Sequence, residues 1–252
     1  MRIASFKSVG FVSLVCAVFV GGALAGSHGL FEAFHQYWPD IRYLSVQHMH
    51  LTAMSGGLAV LTAIPLGIWL SRPSMRRYSQ TAMQLLNIGA TIPTLAVLAL
   101  SMGFLGIGVL PSVFALFVAT LLPITRNTHT GLLDVSQPLI EAANGMGLSP
   151  LQRLVKVELP NALPPIFAGV RTALAINVGT VPLAFLIGGG GLGELIFTGI
   201  DLNEPVMMLA GAIPTAVLAI LVDAAVAALA ALIISRGVNP QRQTTVQLKP
   251  TH

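Results

Sequence analysis

YSQTAMQLLNIGATIPTLAVLALSMGFLGIGVLPSVFALFVATLLPIT, residues 78–125, contains no Asp, Glu, Lys or Arg between Arg77 and Arg126. A helix that crosses a bilayer needs about 20 mostly apolar residues to traverse a hydrocarbon core of roughly 30 Å. This run is long enough for two such helices, and Gly103, Gly106, Gly108 and Pro111 mark the turn between them. Working outward, residues 51–70 form a charge-free stretch ending at Arg72, and residues 8–26 form another after Lys7. On the C-terminal side an uncharged run covers 172–193 after Arg171, and a last one, from about Val206 to Ser235, is interrupted by Asp223. Over the whole chain 54% of the 252 residues are hydrophobic and 9% are charged, against about 25% charged in a soluble domain. The expected fold class is therefore all-α integral membrane, with about six transmembrane helices.

The distribution of positive charge orients these spans. If the N-terminus is cytoplasmic and six spans alternate, Arg2, Lys7, Arg72, Arg76, Arg77, Arg126, Arg153, Lys156, Arg171, Arg236, Arg242 and Lys249 fall inside and Arg42 outside, a split of 12 to 1. The pI of about 9.7 is thus a topology signal and implies no nucleic acid. The lone Cys16 excludes an intramolecular disulfide and a cysteine-based metal cluster. Residues 8–26 read as a retained first helix, although Ala23-Leu24-Ala25 before Gly26 also fits a cleavable leader. Either reading requires a protein-exporting membrane, and a bacterial inner membrane is the natural setting.

The segment 27–50 carries His28, Glu32, His35, Asp40, Arg42, His48 and His50 interleaved with Phe31, Phe34, Tyr37, Trp38 and Tyr43, and reads as an aromatic external segment lying on the membrane. His48 and His50 are two apart and do not share a helix face, which argues against a metal site. Every histidine is expected outside the spans, no H-E-x-x-H motif occurs, and neither an intramembrane enzyme nor a channel filter is evident. Pro65, Pro93, Pro123, Pro182 and Pro214 lie in or beside the apolar runs. The pairs Ala224/Ala228 and Ala227/Ala231 allow close helix approach.

One connection is long. Between the fourth and fifth expected spans lie residues 126–165, where Pro138 to Met146 looks helical and ends at Gly147. Ser149-Pro150 reads as an N-cap with proline at the first helical position, opening a second short helix to Glu158 that Leu159-Pro160 stops. Such a projection suits a soluble partner.

Here the sequence resembles a known family. Glu141-Ala142-Ala143, then Gly147, then Val157-Glu158-Leu159-Pro160 is similar to the EAA loop of binding-protein-dependent ABC importer permeases, with Val157 standing for isoleucine. Ile92 to Ala96, Phe104 to Gly108, Leu122 to Thr128 and Gly189 to Gly193 resemble the branch that handles quaternary-amine osmoprotectants such as glycine betaine, choline and carnitine, and the resemblance covers roughly residues 44–235. It implies a type I (MetI-like) permease bundle whose Glu141, Ala142, Ala143, Gly147, Val157, Leu159 and Pro160 couple to a separate ATP-hydrolysing subunit. It further implies an external substrate-binding protein and a second permease subunit, identical or different, with membrane lipid around the bundle. No cofactor is expected on this chain, ATP and Mg belonging to the partner.

The domain division that follows is 1–50, an N-terminal signal-anchor helix and external segment; 51–235, the transmembrane domain; and 236–252, a cytoplasmic tail. Gly188, Gly189, Gly190, Gly191 and Gly193 are candidates for an external gate, with Glu194, Asp201 and Glu204 nearby to meet a binding protein or a cationic solute. Asn177, Thr180 and Asp223 are candidate pathway residues, since an ionisable group inside a span is costly. Gly188-x-Gly190-x-x-Gly193 formally matches a dinucleotide fingerprint but follows a membrane span, and no phosphate loop of the G-x-x-x-x-G-K-[ST] type occurs. A permease for methionine or another amino acid is the alternative, because those share the fold and the loop.

Overall fold

The structure is a computed structural model that describes residues 34–234, the Arg76 side chain excepted. The expected helix over 8–26, Cys16, the leader alternative and the tail lie outside the described residues. Helix α1 spans Trp38–Leu70, opened by Pro39 and Asp40 in its first turn, where a fixed φ and a negative charge both suit a helix N-terminus. Its 33 residues reach about 50 Å. Residues 38–50, expected as part of a separate surface segment, are instead the outer part of this helix. The reason is that no glycine or proline interrupts 40–55 and the polar residues there are compatible with helix.

Helices α2 (Arg76–Thr91) and α3 (Thr94–Leu105) form a pair bent by 94°. Pro93 disfavours a helical conformation at the residue before it, and Ile92 is accordingly extended at φ −71°, ψ 123°. Helix α4 (Val109–Leu133) follows after Gly106 and Gly108, both at positive φ. Next come α5 (Gln137–Gly145), α6 (Pro150–Arg153), a widened turn over Leu154–Glu158, and α7 (Leu159–Thr180), which tightens over Val181–Ile187. Helix α8 (Gly193–Asp201) and α9 (Pro205–Ile233) complete the described chain.

Among the described residues four helical runs are long and apolar enough to span: Trp38–Leu70, Val109–Leu133, Pro150–Ile187 and Pro205–Ile233; the bent α2–α3 pair is a fifth if taken as one span. These five correspond to the five runs expected beyond residue 50. Three boundaries differ. Leu159-Pro160 does not stop a helix, because proline in the first turn of α7 gives up an N–H that the wider turn before it already leaves free of α-helical bonding. The span expected at 172–193 starts earlier and ends at Ile187, and the loop expected at 126–165 is helical at both edges. His48 and His50 in α1 and His129 in α4 lie within spanning helices, contrary to expectation, because those helices run on past the uncharged stretches.

Lipid offers no hydrophobic drive for helix association, so close approach and polar contacts decide the packing. Helices α1, α4, α7 and α9 meet around Ala59, Ala63, Ile124, Val170, Ala173 and Val226. Gly67 admits Thr128 of α4, where a Cβ would lie 2.6 Å from the threonine Cβ, and Gly169 admits Asn127 in the same way at 2.6 Å. Mid-bundle, Asn177 Nδ2 donates to Thr120 Oγ1 at 2.7 Å and to Ser55 Oγ at 3.0 Å, tying α7 to α4 and α1. Asn177→Ala is expected to destabilise the bundle by about 1–2 kcal/mol, since Ser55 and Thr120 keep backbone acceptors of their own. Thermal unfolding of the purified chain in detergent checks this.

Candidate functional site

The connection between α4 and α7 is two short arms. Ser136, extended, and Pro138 open α5, which carries Glu141, Ala142 and Ala143. Ala143 is buried against the rest of the chain, while Glu141 and Ala142 are exposed. Glu141 Oε1 accepts from Gln137 Nε2 at 3.2 Å, one turn back. Gly147 reverses the chain at φ +73°, with its N–H on the Asn144 carbonyl at 2.9 Å and the Leu148 N–H on the Ala143 carbonyl at 3.1 Å. Only glycine adopts that conformation without a Cβ penalty. Ser149 then caps α6 in a capping box: Gln152 N–H donates to Ser149 Oγ at 3.3 Å, and Ser149 N–H donates to Gln152 Oε1 at 2.9 Å. Arg153 Nη1 donates to Asn144 Oδ1 at 2.9 Å and closes the two arms on each other. Leu139, Met146, Leu151 and Val155 are left exposed along the outer side.

Three prolines, Pro160, Pro164 and Pro165, remove backbone donors from the start of α7, and the chain widens ahead of them: the Leu159 N–H reaches the Leu154 carbonyl five residues back. This turn aims Glu158 inward, where it is 4% exposed. Arg72 Nη2 lies 2.6 Å from Glu158 Oε2, and Arg153 Nε donates to Oε1 at 2.8 Å. Buried carboxylates require such pairing. Beside the clasp lies a hollow of about 420 Å³ lined in part by Ser71, Arg72, His129, Gln137 and Arg153.

At the opposite end the chain turns through Gly188, Gly190 and Gly191, all near φ +80°. Gly108 N–H donates to the Ile187 carbonyl at 2.8 Å, and Gly191 N–H donates to Gln47 Oε1 at 3.1 Å. His48, fully buried beneath this loop, places Nε2 3.0 Å from the Val178 carbonyl. Tyr37 donates to Glu204 Oε2 at 3.0 Å. Partial desolvation, and then that hydrogen bond, hold the Tyr37 phenol above its ordinary value of 10.0. Glu194 and Asp201 remain exposed.

Loop and glycine turn thus lie at opposite ends of one helical bundle, as in a membrane transport subunit. The sequence profile described as binding-protein-dependent transport system inner membrane component matches residues 63–235. The chain belongs to this family. It is 48% identical to the osmoprotectant import permease protein OsmY of Salmonella typhimurium, covering 88% of this chain and 91% of that one. It is also 35% identical to the glycine betaine/carnitine/choline transport system permease protein OpuCB of Bacillus subtilis, over 82% of this chain and 94% of the relative. Among solved structures, an inward-facing form of the MetNI methionine ABC transporter superposes with a TM-score of 0.69 at 24% identity, covering 78% of this chain and 99% of that one, which is a likeness of fold. The permease is a transport protein of the inner membrane.

Within the permease Glu141, Ala142, Ala143 and Gly147 lie in the first arm and its turn, Val157 lies in the widened turn, and Leu159 and Pro160 open α7, with Leu159 packed on Leu132, Ala162 and Ile166; the glycines form one turn. The pathway candidates do not converge. Asn177 is 1% exposed and occupied in the helix seam, Thr180 turns its hydroxyl back to the Ile176 and Asn177 carbonyls, and Asp223 is held by Arg171 on α7. That pair is bidentate, Nε to Oδ1 at 2.9 Å and Nη2 to Oδ2 at 2.6 Å, and it borders a hollow of about 420 Å³ with Ala168, Thr172, Ala175 and Ile176. Residues missed in the sequence are Arg72, Asn144, Arg153, Gln47 and Arg171. Gln152, three positions after Ser149, was a legible capping signal, and Arg153 stands only five residues before Glu158; the Arg72–Glu158 and Arg171–Asp223 partners lie too far apart in the chain to be paired by eye.

Proposed function

We propose that the permease is the membrane-spanning subunit of an ABC importer that carries an osmoprotectant, glycine betaine, choline or a related quaternary amine, into the cell. The observation that carries the reading is the 48% identity, over 88% of the chain, to an osmoprotectant import permease. ATP, with its Mg, is hydrolysed on a separate cassette subunit, which the exposed Glu141, Ala142, Leu139, Met146 and Leu151 face at the loop. An external binding protein delivers the solute to the glycine-loop end, where Glu194 and Asp201 are free to meet it. A second permease subunit completes the path. The exposed Ala224 and Ala228 of α9 offer it a close helix contact, and the half-exposed Arg171–Asp223 pair fits a protein- or water-facing wall better than lipid.

The test is ATP-dependent uptake of radiolabelled glycine betaine, choline and methionine into vesicles containing the permease, its cassette ATPase and its binding protein. Uptake of betaine or choline is expected, and Gly147→Pro is expected to abolish it with assembly intact, since proline fixes φ near −65° and lacks the N–H given to Asn144. Uptake of methionine alone would overturn the substrate assignment.

A further inference from the structure

We propose that α1 is a strut that makes the cytoplasmic loop and the outer glycine turn move together. The inference rests on the reading of residues 141–160 as the ATPase-facing loop. The two ends of α1 are each fastened to one of the moving parts. At the cytoplasmic end Arg72, two residues beyond the helix, holds Glu158 at 2.6 Å, and the same carboxylate holds Arg153 at 2.8 Å, which grips Asn144 on the opposite arm at 2.9 Å. Displacement of either arm therefore pulls on Glu158 and, through it, on α1.

At the outer end Gln47 accepts the Gly191 N–H at 3.1 Å and His48 donates to the Val178 carbonyl at 3.0 Å, just before the helix tightens into the glycine turn. The fit is close: a Cβ on Gly190 would lie 2.5 Å from Gln47 Oε1. Between Gln47 and Leu70 the helix runs unbroken over about 35 Å, with Pro65 inside it removing one backbone donor. A continuous helix transmits displacement along its axis, and each junction is made of directed polar contacts that are made or broken as units. Glu158 is buried at 4% exposure with both oxygens used. Its two arginines come from different elements, one on the α1 side and one in the loop, so the carboxylate acts as a joint between them and is a positioning residue.

The experiment uses the full complex of permease, ATPase and binding protein in proteoliposomes, in a Cys16→Ser background carrying Leu186→Cys beside the outer turn. The maleimide labelling rate of that cysteine is read with and without vanadate-trapped nucleotide, alongside the ATPase rate and the solute moved per ATP. In the parent the rate is expected to change by at least about five-fold, the lower range of an allosteric coupling. Glu158→Gln, which removes the charge and keeps the shape, and Gln47→Ala, at the far end of α1, are each expected to reduce that change to less than about two-fold and to lower solute moved per ATP, and Gln47→Ala, far from the ATPase-facing loop, is expected to retain the ATPase rate. A parental labelling response in either variant, or a response absent in the parent, would overturn the proposal. If Glu158→Gln does not assemble, Gln47→Ala decides alone. Absence of ATP-driven uptake in the parent would instead sink the importer reading.

Discussion

Gly193→Ala is expected to lose the folded permease almost entirely. Gly193 opens α8 directly against Pro182, so close that a Cβ would run into the Pro182 carbonyl and Cα. Both residues are buried, and the obstruction is backbone, which cannot rotate out of the way. Overpacking typically costs about 1–3 kcal/mol, and an obstruction made of backbone puts this position at the upper end of that range or above it. The amount of assembled protein in membranes should fall several-fold or more. Gly103→Ala is the control: open space surrounds that position in α3, and no measurable loss is expected there. Membrane-fraction quantification and detergent thermal unfolding separate the two outcomes.

The second large effect is expected at Arg171→Ala. It would leave Asp223 without its bidentate partner; a lone Asp at the bilayer centre costs about 2.5–3.5 kcal/mol, and the half-exposure of this pair makes that figure an upper bound. Asp223→Ala should cost less, because arginine has a long flexible stem along which it can reach the interface. The double variant Arg171→Ala/Asp223→Ala should be more stable than Arg171→Ala alone. A double-mutant cycle by thermal unfolding in nanodiscs measures the difference. Strict additivity of the two single effects would show that the pair contributes nothing.

The sequence carried the spans beyond residue 50 because the absence of charge over 20 residues is a property of neighbours along the chain, and the bilayer reads the same property. It also carried the loop: Gly147 and Ser149-Pro150 act through local backbone geometry that their own side chains dictate, and both stand where expected. The misplaced boundaries have a different origin. Leu159-Pro160 looked like a stop because proline usually ends a helix, but proline in a first turn is permitted, and the widened turn before it absorbs the change. The clasp at Glu158 and the bidentate partner of Asp223 were hidden because Arg72 and Arg171 lie 86 and 52 residues away from them, a separation across which only the folded helices decide who meets whom. Asn177 was visible as a polar residue in an apolar helix, yet its face could not be assigned until α1 and α4 were in place.

The elbow at Ile92-Pro93 also bears on biogenesis. Helix α2, at 16 residues, reaches about 24 Å, and α3, at 12, about 18 Å, so neither spans a 30 Å core alone. Taken together, residues 78–105 form one uncharged stretch long enough for a single crossing. Ser101 Oγ on the Pro111 carbonyl at 3.1 Å and Leu98 packed with Ala115 hold α3 to α4, so the elbow can take its final shape only once the following helix has arrived. Pro93 breaks the helix locally, whereas the direction α3 takes from that break depends on a helix made later in the chain.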